Sequence, residues 1–504
     1  MTFNGASDGA SVSLTSPSTP DRLHILLLSF PAFGHIIPML EFAKKLSQHH
    51  AVTFGVSAGK LPDLTRRELL HPTEDPVRLL GIPDNVWDDF DNPEDSDAIL
   101  RIFLGVNAAV ENLLTAVPLR HDPGRTSSAV PHNSGRASSD VPHDSGRPSS
   151  TVPHDPGRPS SAVRQPVDVI ILDLFLGGPV GVCRSRSVPF YFFNAANAMF
   201  FQHLLLLNEG TPTVSIEEAD AFIELPEPGG QLQAFTVNMK TLFLPVRNNL
   251  GLAKGIIINT LRELEPDLLR DLHANPPMPV MRVWCVGPLF PEETSTTTEN
   301  SVPEWLNRQS DGSVVYVSFG SVATPTGEQI RNIGLALLES KRPFLWSLRA
   351  KFHSFLPDEL RHRTNDGGSF LVTEWAPQKL VLKSPAVGVF LSHCGWNSTL
   401  EAVAGGKAMI AWPMFADQLL NAQWAVRLGV AVLIPKTGMK APRVVPVDEI
   451  TAAIMEVGGV WSGSQRAGTV YQTSVLACSE KVHAAWGPSG KTAAEFEDLL
   501  SSFR

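Results

Sequence analysis

No stretch of the 504 residues approaches the roughly eighteen consecutive apolar side chains that mark a membrane-spanning helix. The strongest apolar runs, Leu23 to Phe30 and Phe200 to Leu207, have the length of a strand or a buried helix, so no membrane span is expected. Positive charge is in deficit, 41 Lys and Arg against 51 Asp and Glu, which argues against nucleic acid as a partner. The four cysteines, Cys183, Cys285, Cys394 and Cys478, form no Cys-x-x-Cys pair. That spacing suggests neither a zinc site nor a disulfide framework and fits reduced thiols in the cytosol. The first twenty residues lack the basic start and apolar middle of a secretory signal, and residues 1–21 read as a disordered tail of a cytoplasmic protein. Residues 29–35 also lack the Gly-x-Gly-x-x-Gly turn that a nicotinamide dehydrogenase would need after its first strand.

What is present suffices for more than one core: 43% of the residues are hydrophobic and 18% charged. Apolar strands bounded by turns are expected at Leu23–Ser29, Val52–Val56, Val77–Ile82, Val167–Leu172, Val188–Phe193 and Gly255–Asn259, with helical periodicity between most of them. The alternation predicts an α/β domain with a parallel sheet over residues 22–290. Residues 291–303 carry no apolar periodicity and read as a linker. Strands then resume at Ser313–Phe319, Pro343–Leu348, Ser369–Thr373, Val387–Leu391, Ala408–Trp412 and Val430–Leu433, predicting a second, similar domain over 304–484. Helices are expected at 447–457, 465–484 and 492–503, and the last, within 485–504, is expected to pack back on the first domain.

One segment breaks this pattern. Residues 127–137, 138–148 and 149–159 are tandem copies of an eleven-residue unit rich in Ser, Pro, Gly, His and Arg. Too few apolar side chains are present to offset the entropy of ordering, so 118–165 reads as a disordered insert in the first domain. His132, His143 and His154 recur within it, but a flexible chain gives them no preformed metal geometry. Because closure entropy grows slowly with loop length, deletion of 121–163 is expected to leave a folded, active protein.

Chemistry concentrates between Trp375 and Gln418, a block of 44 residues. The strand Val387–Leu391 leads through His393, Gly395, Asn397 and Ser398 into a helix, whose free N-terminal N–H groups favour an anion such as a phosphate. Gly395 would let the backbone approach closely. Each residue also has a plain reading. Ser398 and Glu401 have the spacing of a capping box, Trp375 and Trp396 could be core aromatics, His393 could be structural, and Asp417 and Gln418 could simply begin a helix. In the first domain, His35 follows the first strand and Asp173 ends the strand 167–172, so both fall at the carboxyl edge of one sheet, where α/β folds hold ligands. Such a pair can act as a base and its orienting carboxylate. Asp168 is the rival carboxylate, but it lies at the strand's other end.

The 44-residue block, from Trp-Ala-Pro-Gln through His-Cys-Gly-Trp-Asn-Ser to Phe-Ala-Asp-Gln, resembles the signature of plant-type UDP-dependent glycosyltransferases. The resemblance extends to residues 31–39, 169–175, 286–289, 314–321 and 344–349. It implies the GT-B fold, two Rossmann-like domains facing across a cleft, and a UDP-sugar as co-substrate with no bound metal or other cofactor. No Asp-x-Asp motif occurs in the block. By the same resemblance Trp375 stacks on uracil, while the Ala376 backbone and Gln378 meet the base or ribose and Glu401 the ribose hydroxyls. His393, Asn397, Ser398 and Ser321 are implied at the pyrophosphate, and Trp396, Asp417 and Gln418 at the sugar. His35 and Asp173 occupy the positions of the family's catalytic dyad, which implies inversion at the anomeric carbon.

The resemblance implies a small lipophilic acceptor bearing a hydroxyl or carboxyl, with Phe33, Phe193, Phe200 and Phe201 as candidate wall residues or, equally, ordinary core. Gln418, where some family members carry His, resembles the glucose-using majority and so implies glucose as the sugar, and a monomer is expected. A non-catalytic sugar-nucleotide or aglycone binding protein with a partner-recruiting repeat is the alternative; the presence of both His35 and Asp173 speaks against it. The block departs from the family pattern at Gly406-Lys407-Ala408, where Gly-Val-Pro is usual, and a small effect on stability or affinity is expected. Asn397-Ser398-Thr399 is the single Asn-x-Ser/Thr sequon, and a glycan there would block the phosphate site, which favours the cytosol.

Overall fold

A computed structural model describes residues 22–67, 69–70, 75–83, 96–120, 165–211, 213–214, 235–274, 281–291, 301–320, 322, 325–361, 368–438, 443–459 and 468–504. The expected tail 1–21, the repeats, linker residues 292–300 and Ser321 lie outside the described residues.

Two parallel sheets organise the chain. The first contains β1 (His24–Leu28), β2 (Ala51–Ser57), β3 (Arg78–Ile82), β4 (Val169–Asp173), β5 (Phe190–Asn194), β8 (Gly255–Ile258) and β9 (Arg282–Cys285), in the order β3-β2-β1-β4-β5-β8-β9. A separate short pair is formed by β6 (Thr213–Val214) and β7 (Phe235–Thr236). The second sheet runs β12-β11-β10-β13-β14-β15, from β10 (Val314–Ser318), β11 (Phe344–Ser347), β12 (Phe370–Thr373), β13 (Val387–Ser392), β14 (Ala408–Ala411) and β15 (Ala431–Leu433). Both are α/β layers of the Rossmann type, and together they make the GT-B architecture.

Continuous apolar runs form these strands because both faces of each sheet are covered. In β1, Ile25 and Leu27 pack into one layer with Phe42, Phe193 and Phe496. Leu26 and Leu28 enter the opposite layer with Ile170, Leu172 and Phe192, and this layer continues into the second domain. The strand β9 was not expected: four residues, Arg-Val-Trp-Cys, leave too short a run among prolines to read as a strand. The helix Ser301–Asn307 begins three residues inside the expected linker.

The helix Lys491–Ser502 joins the first sheet. Phe496 and Leu499 enter its core, Trp284 Nε1 donates to Asp498 at 2.7 Å, and Tyr191 donates to the Ser502 carbonyl at 2.8 Å. Arg262 reaches both oxygens of Glu495.

The chain on either side of the repeats is joined by a parallel bridge between Leu119 and Val167. Asp168, next to that bridge, is buried and accepts from the His24 N–H at 2.8 Å, at the edge of the sheet opposite Asp173.

In each sheet the strand order reverses between two central neighbours, β1 and β4 in the first, β10 and β13 in the second. Crevices open at the carboxyl ends of such strands. His35 and Asp173 belong to the first crevice, and the turn 393–395 to the second.

Candidate functional site

The turn 393–395 is shaped by a strained residue and two glycines. Cys394 has φ +61°, in the left-handed region. It is held there by its N–H to the Ser392 hydroxyl (3.1 Å) and by Asn421, whose amide donates to its carbonyl (2.9 Å). His393 fits between Gly320, itself at φ +73°, and Gly395; a Cβ on either would approach Nε2 to 2.7 or 2.6 Å. Burial pushes the His393 imidazole down to about 4, leaving it neutral near pH 7.

Gly395 is the N-cap of the helix Trp396–Ala404, and no side chain caps its first turn. The capping-box alternative is therefore not what forms. Ser398 lies inside the helix, and its hydroxyl accepts from Gln378 Nε2 at 2.9 Å, while the same nitrogen donates to Glu401 at 2.8 Å. Burial raises the Glu401 carboxyl above its usual range, against the Gln378 hydrogen bond and the Lys379 charge. Gln378, Ser398 and Glu401 are thus held together beside open backbone donors. Trp375, in the same corner, is 60% exposed although large and apolar, while Ala376 next to it is buried.

Lys407 does not extend toward this corner. It is buried, and Nζ donates to the Ser384 carbonyl at 2.8 Å, at the C-terminal end of the helix Gln378–Lys383.

Asp417 and Gln418 open the helix Gln418–Arg427, with Asp417 at its N-cap. The Asp417 side chain does not cap that helix; it accepts from Asn421 Nδ2 at 2.9 Å. Its carboxyl is raised by burial, with Asn421 and His35 pulling the other way. Gln418 turns its carbonyl oxygen to the N–H groups of Met414 (2.9 Å) and Phe415 (3.1 Å), fixing the preceding loop. Trp396 is buried, stacked edge-on against Trp424, and its indole N–H donates to the Asn259 carbonyl at 2.6 Å. Its ring is therefore interdomain packing, and its backbone N–H belongs to the first helical turn.

In the first domain, His35 lies in the first turn of the helix Phe33–Ser47. Its Nδ1 is 2.9 and 3.1 Å from the two oxygens of Asp173, which is fully buried and also accepts from the Phe175 N–H at 2.9 Å. Burial lowers the imidazole pKa, but the Asp173 charge and hydrogen bond, aided by the Asp417 charge, outweigh it and leave His35 raised above 6.5. The side chain keeps 18% of its surface open.

Around it stand Phe175 at 4.4 Å and Phe30 at 5.4 Å between ring centroids. Phe103, Phe200 and Phe243 extend the aromatic wall. Of the expected wall residues only Phe200 belongs to it. Phe193 is buried behind the sheet against Phe42, Phe201 is in the core, and Phe33 lies under the Arg67 guanidinium. Phe103 and Phe243 could not be placed from sequence, being on separate helices far apart in the chain. Phe175, two residues after Asp173, could have been suspected.

The two crevices meet. The Asn397 amide donates to the Gly34 carbonyl at 3.2 Å, one residue before His35. The open start of the helix Trp396–Ala404, with Gln378, Ser398 and Glu401 beside it, thus faces a His–Asp pair in the other Rossmann-like domain, the arrangement of a GT-B glycosyltransferase.

Comparison with known proteins bears this out. A family model described as UDP-glucoronosyl and UDP-glucosyl transferase matches residues 248–445. UDP-glycosyltransferase 72B1 of Arabidopsis thaliana is 31% identical over 453 residues, covering 82% of this chain and 84% of the relative. A structure of Phytolacca americana UGT2 with UDP-2fluoro-glucose and pterostilbene superposes with a TM-score of 0.71 at 26% identity, over 95% of this chain and 99% of the other. Medicago truncatula UGT71G1 with UDP-glucose gives a TM-score of 0.72 over 96% and 98%, at 22% identity, a likeness of fold. The chain belongs to the UDP-glycosyltransferase family. It is a UDP-sugar-dependent enzyme, and no helix among the described residues is long and apolar enough to cross a membrane.

Proposed function

We propose that this enzyme transfers glucose from UDP-glucose to a hydroxyl or carboxyl of a small lipophilic acceptor, with inversion. The observation that carries this reading is His35 bonded through Nδ1 to buried Asp173 amid a phenylalanine wall. With Nδ1 occupied, Nε2 is the nitrogen left to take a proton from the acceptor, and Asp173 stabilises the imidazolium that results. The acceptor oxygen then attacks the anomeric carbon as the bond to UDP breaks. Developing charge on the diphosphate is met by the first-turn N–H groups at Trp396, Asn397 and Ser398, with His393 and Ser321 as further donors.

Trp375 supplies an exposed face for uracil, the Ala376 backbone and Gln378 serve the base or ribose, and Glu401, oriented by Gln378, accepts from the ribose. Asp417 and Gln418 address the sugar hydroxyls. Glucose is supported by Gln418 and by the UDP-2fluoro-glucose complexed in the Phytolacca structure, and a lipophilic acceptor by the pterostilbene there. No bound metal is required, because helix donors do the work of neutralising the diphosphate. A cytosolic location agrees with four buried free cysteines and with Asn397, whose amide a glycan would pull from Gly34.

The test is product stereochemistry with an α-linked UDP-glucose donor and a panel of phenolic, terpenoid and carboxylate acceptors. A β-glucoside supports the reading. An α-glucoside contradicts it.

A further inference from the structure

We infer that Asn107 is a positioning residue for catalysis, holding the segment after Asp173 so that Phe175 stays packed against His35 and limits the access of water to it. The inference rests on the reading of His35 as base.

The segment Leu174–Gly178 follows the catalytic strand directly, and it has little room to adjust. Gly177 packs so closely on Val246 that a Cβ has no place, and a Cβ on Gly178 would come within 3.0 Å of Asn107 Oδ1. Asn107, on the helix Ser96–Ala116, is buried, and its amide is committed on both sides. Nδ2 donates to the Phe175 carbonyl at 3.2 Å and to the Phe103 carbonyl at 2.8 Å, while Oδ1 accepts from the Gly178 N–H at 2.9 Å. One side chain thereby satisfies both a carbonyl and an N–H of the same irregular segment, groups that are costly to bury unpaired.

What it fixes matters for chemistry. The Phe175 N–H donates to Asp173 Oδ1, and the Phe175 ring lies 4.4 Å from the His35 ring and 4.7 Å, edge-on, from Phe243. Phe103, the other carbonyl partner of Asn107, is in the same wall, 5.6 Å from Phe30. Asn107 is thus tied to the backbone of Phe175, whose ring lies against the base, and of Phe103, whose ring packs on Phe30 and Phe175. A loosened segment admits water beside Nε2, and water can then attack the donor in place of the acceptor: UDP-glucose and H2O give glucose and UDP, with His35 taking the proton from water.

The experiment compares wild type with Asn107→Leu for UDP release from UDP-glucose, with and without a working phenolic acceptor, alongside UDP binding. The expected result is an acceptor-dependent kcat at least about tenfold lower, an unchanged KM for UDP-glucose, and an acceptor-independent release that rises as a fraction of the total. Equal rates, or a proportional fall of both releases, would overturn the inference. Should Asn107→Leu fail to bind UDP, Asn107→Asp keeps the volume and the acceptor for Gly178 but removes the donor to Phe175, and carries the same expectation. His35→Ala separates the two readings. Wild-type transfer in that variant removes the base itself, whereas its inactivity beside a wild-type-like Asn107→Leu removes only the role of Asn107.

Discussion

Trp396 donates its indole N–H to the main-chain carbonyl of Asn259 at 2.6 Å, which ties the start of the helix Trp396–Ala404 to the end of β8 in the other domain. Both residues are buried. Replacing Trp396 with Phe keeps an aromatic ring against Trp424 but strands the Asn259 carbonyl, at a cost of about 1–3 kcal/mol. The expected outcome is a lower denaturation midpoint together with weaker UDP binding, because the helix start loses its anchor. Urea unfolding and calorimetric UDP titration would check both.

The His35–Asp173 pair predicts a pH dependence with a definite sign. Burial lowers the imidazole pKa, but the Asp173 charge and hydrogen bond and the Asp417 charge outweigh it, so the folded value is above 6.5. A base must be neutral, and kcat/KM therefore falls as pH drops through that raised value. The stability contributed by His35 protonation is fully present below 6.5 and is lost as pH rises through the folded value. Asp173→Asn should move the kinetic midpoint downward and cost about 10²–10⁴ in kcat.

Trp375 is 60% exposed and therefore contributes little to the fold. Trp375→Ala should change stability by no more than about 0.5 kcal/mol. If its face stacks on uracil, UDP affinity should nevertheless drop about tenfold, within the roughly 1–3 kcal/mol that base stacking on an aromatic side chain supplies. A thermal shift series with and without UDP separates these two effects.

Glu265 gives a second pH signature, in stability. It is buried where its carboxylate accepts from the N–H groups of Ala198 and Met199, at the start of the helix bearing Phe200, and from Thr260. Burial pushes its pKa up to about 7 in spite of these bonds. The folded protein holds this proton more tightly than the unfolded chain does, so the contribution is largest below about 4.5 and is lost as pH rises to about 7. That displacement corresponds to roughly 3 kcal/mol. Glu265→Gln should flatten the pH dependence of the urea midpoint between 5 and 8.

The strands were legible because parallel sheets buried on both faces demand continuous apolar runs, as in His24–Leu28 and Val169–Asp173. Arg282–Cys285 was not, since four residues carry no period of their own. The positions of His35 and Asp173 followed from strand ends, and the 44-residue block marked the side chains that gather around the turn 393–395. The phenylalanine wall was largely invisible. Phe103 and Phe243 join the wall only through tertiary packing, and of the two readings open for Phe193, wall or core, strand alternation selects the core face occupied by Phe42. The resemblance implied Trp396 at the sugar and an effect of Lys407 on stability or affinity, and burial turns their side chains to carbonyls at 259 and 384.

The most direct test of the account is acceptor-dependent UDP release from UDP-glucose, measured for wild type and His35→Ala at matched UDP binding. Release that requires acceptor in the wild type and falls by about 10²–10⁴ in the variant is predicted. Wild-type release by His35→Ala would contradict it.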